Sequence, residues 1–335
     1  MHMADALLSA PVGGAMYAAS AGALGWAVKN IEKEPQLDRK LPLMAMSGAF
    51  VFAAQMINFS IPGTGSSGHL GGGMLLAGLL GGAPALLTIA AVLTVQCLFF
   101  ADGGLLALGA NIFNMGVIPC LLVWPLIFRP ILRKGATKGR LWLTSILASV
   151  ISLQLGAFCV VLETLCSGVT ELPFGLFLSL MQPIHLAIGL VEGIVTAAIL
   201  TYVMQTRPEL LTANISPQSE LTSVSLKPLA IALAILAVLV GGGLSLLASS
   251  YPDGLEWSIQ RITGTTDLER GDAVHSQAAA VQKSLAILPD YDYPSGQGQG
   301  TTASGLLGAA ITCALAALIG LAISCLKKFR SAPQQ

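Results

Sequence analysis

Apolar runs of membrane-spanning length recur along almost the whole chain, and they leave little choice but a bundle of helices crossing a bilayer. A span needs about 20 apolar residues, and candidates lie near 7–28, 41–60, 70–83, 84–101, 104–128, 141–166, 174–204, 228–250 and 303–326. Mean hydropathy of +0.75 agrees. So does a charged fraction of 10%, against about 25% in soluble domains. The expected fold is all-α: a polytopic membrane protein of about nine transmembrane helices. The run at 70–83 is short and glycine-rich, which points to a tilted or re-entrant segment.

The charges between the runs assign sides, because Lys and Arg concentrate in short cytoplasmic loops. Lys29, Lys33, Arg39 and Lys40 follow the first run, and Arg129, Arg133, Lys134, Lys138 and Arg140 follow the fifth. Arg207 and Lys227 follow the seventh, and Lys327, Lys328 and Arg330 follow the ninth. Nine crossings put all four sets on one side, with the amino terminus outside and the carboxyl terminus cytoplasmic. No basic segment precedes the first apolar run, and Asp5 stands where a cleavable signal would carry Lys or Arg. Met1 is therefore expected to stay, since a bulky second residue blocks its removal. Cys97, Cys120, Cys159, Cys166, Cys313 and Cys325 all fall within the runs without CxxC spacing and read as packing residues.

An outside amino terminus gives chemistry to the first two residues. The α-amine of Met1 and the amide nitrogen of His2 close a five-membered ring on a metal ion. That amide and imidazole Nδ1 of His2 close a six-membered one. Three coplanar nitrogens suit nickel(II) or copper(II), whereas zinc prefers a tetrahedron. The loop SIPGTGSSGHLGGG, residues 60–73, lies on the same side and offers His69 as a fourth nitrogen. Its Gly63, Gly65 and Gly68 satisfy GxGxxG, but with no strand expected before them and no βαβ unit between two spans the dinucleotide reading fails its required context. The glycines instead let the backbone approach another element closely.

The opening MHMADALLS, LPLMAMSGAFVFAAQMINF (41–59), GTGSSGHLGGG, LGANIFNMG (108–116) and PIHLAIGLVEG (183–193) together resemble the CbiM/NikM family. These are substrate-capture components of energy-coupling-factor transporters for nickel and cobalt. The likeness covers about residues 1–225. It implies a metal held by the Met1 amine, the His2 amide and imidazole, and the His69 imidazole, the same atoms that the chelate chemistry names. It further implies a transmembrane coupling partner and two ATPase subunits in a bacterial inner membrane. No GxxxxGK[ST] motif is present, so any ATP hydrolysis falls to other chains. The expected cargo is Ni²⁺ or Co²⁺; no cofactor, no catalytic residue and no nucleic acid are expected, and the remaining contacts are with membrane lipid. An ATPase-independent carrier is the nearest alternative. A membrane metalloenzyme is disfavoured, because His2, His69, His185 and His275 form no HExxH-like group.

Polar residues within spans are functional candidates by default. Asn111 and Asn114 lie three apart on one helix face, and His185 and Glu192 lie seven apart on another. All four are candidates to orient metal ligands, His185 and Glu192 as a pair. Asp5 is placed to accept an imidazole N–H, while Asp102 and Glu163 read as interfacial or buried paired groups. Gly14, Ala18 and Gly22, with Ala15, Ala19 and Ala23 beside them, make small-xxx-small repeats on the first span. Helices of such capture components dock their coupling partner through alanine-rich faces, so this stripe resembles a docking surface; packing within the chain is the alternative.

Two domains are expected: a metal-capture domain, 1–227, and an accessory module, 228–335, of two spans flanking an outer segment. A polar linker at about 205–227 joins them. The outer segment, 251–302, opens with YPDGLEWS and carries seven acidic and three basic side chains. Its PDGLE motif resembles the accessory component that accompanies nickel and cobalt capture proteins, here fused. His275 reads as a surface histidine, and PSGQGQGTTASG, 294–305, as a flexible tether.

Overall fold

The computed structural model describes residues 1–32, 37–215, 225–266, 268, 271–294 and 300–331. Lys33, Arg270, the middle of the linker (216–224) and part of the tether (295–299) lie outside the described residues, as does the side chain of Arg330. Among the described residues the regular structure is helical apart from one small hairpin. Its elements are α1 (Ala10–Ile31), α2 (Leu37–Gln55), β1 (Phe59–Ile61), β2 (Ser66–Gly68), α3 (Gly73–Leu80), α4 (Gly82–Phe100), α5 (Leu108–Arg133), α6 (Lys138–Ser167), α7 (Phe174–Thr206) and α8 (Pro208–Ile215). The accessory part adds α9 (Lys227–Gly242), α10 (Gly254–Thr263), α11 (Ala273–Leu285) and α12 (Thr301–Ser331). Helices α4, α5, α6, α7 and α12 are long and apolar enough to cross a membrane by length and composition.

The apolar core is continuous through the bundle, because helices that must face lipid on one side still bury a second face against each other. Helices α6 and α7 pack lengthwise, and α9 and α12 both pack along α2, with Gly241 and Gly305 letting α9 and α12 meet backbone to backbone. Two prolines, Pro119 and Pro125, sit inside α5, where turns from Phe113 to Phe128 are wound wider than an α-helix. Missing proline N–H groups and ring clashes make ordinary i to i−4 bonding costly there.

The run at 70–83, expected to be tilted or re-entrant, is helical over only part of its length. Its helix, α3, has eight residues and rises only about 12 Å. The segment is nevertheless tied to both ends of α2: Gln55 Nε2 donates to the Gly71 carbonyl at 2.8 Å, and Lys40 Nζ donates to the Leu80 carbonyl at 3.3 Å. From Lys40 to Gln55, α2 rises about 22 Å, so non-helical residues ahead of α3 make up the difference. Gly72, at φ +77°, takes a left-handed conformation at the start of α3 that favours glycine.

These ties define the two ends of the bundle. At one lie Lys40, Arg129 and Arg133, whose guanidinium Nε atoms both donate to the Ile215 carbonyl, together with Asp38 and Lys328. At the other lie Met1, the hairpin, and α10 and α11. A strand does precede the GxGxxG glycines, contrary to the sequence expectation. It pairs antiparallel with β2, in register Phe59 to Gly68 and Ile61 to Ser66, so the segment is a hairpin and not a βαβ unit.

Candidate metal centre

The first nine residues lie folded into the bundle ahead of α1, and Met1 is only 5% exposed. Asn111 holds this arm by its backbone: Oδ1 accepts the Met3 N–H at 2.8 Å and Nδ2 donates to the Met3 carbonyl at 3.2 Å. The Met1 amine then sits 3.0 Å from His69 Nε2, and the His2 and His69 rings stack with centroids 5.1 Å apart and planes 16° from parallel. The structure thus brings together all three residues proposed as ligands.

Their protonation can be read from their partners. His69 Nδ1 is 3.0 Å from the Leu70 carbonyl, which can only accept, so the proton is on Nδ1 and Nε2 offers a lone pair toward the amine. For His2 the assignment runs through two buried amides. Gln55 Nε2 donates to Gly71, leaving its oxygen to accept from Gln96 Nε2 at 2.8 Å. Gln96 therefore turns its oxygen to His2 Nε2, 3.1 Å away, which must carry the proton. His2 Nδ1 is left bare, and it is the nitrogen that the six-membered chelate ring requires. A ligating histidine commonly has its other N–H fixed in this way.

Burial, and next to it the charge of the nearby amine, pushes both imidazoles down to about 3, against a partial opposing effect of Asp253. They are neutral at ordinary pH, as ligation demands. Asp253 Oδ2 takes the amine at 2.6 Å and stands 3.9 Å from His69 Nε2. Burial alone would raise this carboxyl, but the amine charge and His69 outweigh it and hold it well below the usual range. Asp102 goes the other way: burial raises it despite a hydrogen bond from Tyr291. A protonated Asp102 is compatible with the bare His2 Nδ1, 3.2 Å from its Oδ1.

The remaining sequence candidates take separate places. Glu192 Oε2 accepts the Gly71 N–H at 2.6 Å and so braces the loop that carries His69. His185 is not paired with it; its Nδ1 donates to the Met181 carbonyl at 2.8 Å. Asn114 donates to Glu163 at 2.9 Å, making Glu163 a buried paired group as expected. Asp5 does not reach the His2 imidazole: its carboxylate accepts the Ala107 N–H at 3.0 Å, and the imidazole at its backbone carbonyl belongs to His275. His275 is not a surface histidine. It is 5% exposed, and its Nε2 lies 2.8 Å from the Leu8 carbonyl and 3.1 Å from that of Asp5, stapling α11 to the amino-terminal arm. Gly14, Ala15, Ala18, Ala19 and Gly22 are exposed and Ala23 half-buried, while the opposite face of α1 packs on Leu106 and the start of α5 through Gly13 and Ser20. The small-residue stripe is not spent on packing within the chain.

Three residues escaped the sequence reading, Gln55, Gln96 and Asp253, while Asp102, read as an interfacial or buried paired group, stands beside His2. The two glutamines carried a usable signal, an amide inside an apolar run, that was applied only to the asparagines. Asp253 lies in the PDGLE motif and opens α10 with a capping box, its Oδ1 accepting the N–H groups of Leu255 and Glu256. One carboxylate oxygen therefore caps a helix while the other holds the amine. A cavity of about 710 Å³ opens beside the site, bordered by His2, His69, Asp102, Asp253, Glu256 and Tyr291. Among the described residues no group of three or more His, Cys, Asp or Glu side chains is spaced to hold a metal. A metal here would depend on the backbone nitrogens of the chain end.

A helical membrane protein whose buried chain end converges with two imidazoles fits the class that comparison with known proteins gives it, an integral-membrane metal transport component. The chain belongs to the CbiM family, described as the cobalt uptake substrate-specific transmembrane region, which matches residues 2–210; a PDGLE domain matches residues 227–325. Over 318 residues it is 30% identical to an Archaeoglobus fulgidus protein assigned as a fused nickel transport protein, NikMN, covering 94% of this chain and 96% of that one. The fused nickel transport protein NikMN of Rhodobacter capsulatus is 31% identical over 237 residues, 65% of each chain. Among solved structures, a truncated transition metal transporter superposes with a TM-score of 0.54 at 29% identity, covering 62% of this chain and 99% of its own.

Proposed function

We propose that this chain is the substrate-binding component of an ATP-driven energy-coupling-factor transporter in the cytoplasmic membrane, taking up Ni²⁺ or Co²⁺ from the outer side. The bundle end with Met1 faces outward and the end with the four basic sets faces the cytoplasm. Metal is held in a roughly square-planar site by the Met1 amine, the His2 amide and Nδ1, and His69 Nε2. Residues 1–227 form the capture domain and 228–335 the accessory module. A transmembrane coupling subunit and two ATPase subunits drive release inward, the coupling subunit docking on the Gly14, Ala18 and Gly22 face of α1.

The observation that carries this reading is the 3.0 Å separation of the Met1 amine and His69 Nε2, which suits adjacent corners of one metal square at bond lengths of about 2 Å. The tautomers fixed by Leu70 and Gln96 add to it. Capture would proceed by loss of the ammonium proton and of the His2 amide proton, with both imidazoles already bare at the required nitrogen. Copper(II) would bind more tightly still, so the choice among metals rests on availability and geometry. The test is metal analysis of protein purified with a native amino terminus, with an optical spectrum. A yellow, diamagnetic nickel complex at one ion per chain is the expected result; a tetrahedral or high-spin spectrum would overturn the site.

A further inference from the structure

His2 and His69 account for two of three imidazoles near the centre. His185, on α7, is the third and is 0% exposed. Its Nδ1 lies 2.8 Å from the Met181 carbonyl; a carbonyl cannot donate, so the proton sits on Nδ1 and Nε2 keeps an unprotonated lone pair. Among the described residues that Nε2 has no hydrogen-bond partner. His69 shows the same arrangement, Nδ1 on a backbone carbonyl and Nε2 free to ligate, which is the usual posture of a metal-binding histidine. Stranding a buried acceptor is unfavourable, and an apolar residue would avoid that cost.

The surroundings indicate what the lone pair is for. His185 borders a small cavity of about 10 Å³, room for a single water-sized sphere, together with Met1, His69, Asp253 and Gly254. A Cβ at position 254 would stand 3.2 Å from His185 Cε1. Glycine there lets the segment carrying Asp253 close directly over the ring. One small chamber is thus lined by the chain end, by His69 that adjoins it, by Asp253 and by His185, the residue with the unused imidazole nitrogen.

We propose that His185 Nε2 is a transit ligand for the divalent cation, holding it in this chamber while the four-nitrogen site forms. The inference rests on the four-nitrogen reading above. Ligation by His185 moves no proton: Nε2 donates its lone pair and the proton stays on Nδ1. The permanent site, in contrast, must shed one proton from the ammonium and one from the His2 amide, and deprotonating an amide is slow unless the metal is already held nearby. The cation first bonds to His185 and His69 across from the Asp253 carboxylate. As the amine and amide give their two protons to solvent, their nitrogens and His2 Nδ1 bond to the metal, and the bond to His185 breaks.

Rapid mixing of NiCl₂ with detergent-solubilised full-length protein, followed by absorbance, tests this on wild type, His185→Asn, His185→Gln and His69→Ala. His185→Asn keeps a side-chain amide near Nδ1 and removes Nε2. The four-nitrogen spectrum should then form about tenfold or more slowly and reach the same final shape, with a smaller equilibrium loss than in His69→Ala. His185→Gln, with a polar atom near Nε2, should fall between. Formation as fast as wild type in both variants would overturn the proposal, and so would an equilibrium loss equal to that of His69→Ala with an altered spectrum, which would make His185 a permanent ligand. Freeze-quench electron paramagnetic resonance of wild type mixed with copper(II) needs no variant. An early species with two imidazole nitrogens and no amide nitrogen is expected, and direct appearance of the four-nitrogen signal would overturn the idea. A wild type that never forms that signal refutes the proposed function itself, which keeps the two failures distinct.

Discussion

Gln96 touches no proposed ligand bond, yet the tautomer of His2 depends on it. Replacing it in a Gln96→Leu variant removes the acceptor for His2 Nε2–H and the donor to Gln55 Oε1. The stranded Gln55 oxygen burdens metal-free and loaded protein alike and cancels from the affinity. The His2 N–H does not cancel. Without metal, the ring can carry its proton on Nδ1 instead, with Asp102 ionised and accepting it at Oδ1, 3.2 Å away. With metal on Nδ1 the proton is forced onto Nε2, and a buried N–H without a partner costs about 1–3 kcal/mol. Nickel affinity should fall about 5- to 150-fold, in the range seen when groups that orient ligands are lost. Gln96→Glu restores an acceptor and should recover most of the loss. Competition against a chelator of known affinity measures the constant, and imidazole ¹⁵N shifts report the tautomer. Affinity within twofold of wild type in Gln96→Leu would refute the amide chain as the device that sets His2.

Extending the amino terminus by one residue should abolish tight binding while leaving the fold intact, because it converts an amine that is already closely held by His69 and Asp253 into an amide; isothermal titration of a tagged, well-folded chain with undiminished affinity would contradict this. Nickel affinity should weaken as pH falls, since protons compete for the same nitrogens. With His2 and His69 held down to about 3, only the amine and amide protons are displaced between pH 5 and 6.5. The slope of log affinity against pH should be about 2 there, and a slope of 3 or 4 in a pH titration would show that the imidazoles had been protonated. Truncation after residue 227 should leave a folded protein that still takes up nickel at saturating concentration in equilibrium dialysis, but with slower cellular uptake, as Asp253 and the His275 staple are lost. Undiminished uptake with its ATPase partners present would remove the module from loading.

The fold class was legible because apolar runs of bilayer length permit few structures, and the candidate chelate could be proposed because its ring geometry is set within two consecutive residues. Met1, His2 and His69 needed only an assignment of sides to be brought together. What could not be read was set by contacts distant in sequence. His275 sits in a polar segment with nothing nearby to suggest burial, and only packing of α11 against the amino-terminal arm buries it. Asp5 has the spacing to meet His2 on a helix, but the arm is mostly not helical, and the carboxylate turns to Ala107 instead. The run at 70–83 was ambiguous because it combines a short helix with a non-helical lead, which no hydropathy window detects. Gln55 and Gln96 act through a hydrogen-bonded relay between two helices, a relation that neither run contains alone.

The ammonium of Met1, neutralised by Asp253 at 2.6 Å, has a consequence for which ions can be admitted at all. Under the proposed chemistry a doubly charged ion enters as two protons leave, so the net charge of the buried chamber does not change on loading. Nickel and cobalt, which bond strongly enough to nitrogen to expel an amide proton, meet that condition. Magnesium and calcium prefer oxygen ligands and expel neither proton. They would add their full charge to a buried, already neutralised space, at a desolvation cost of several kcal/mol or more. The abundant hard cations are thus turned away by electroneutrality, with no filter of matching size required.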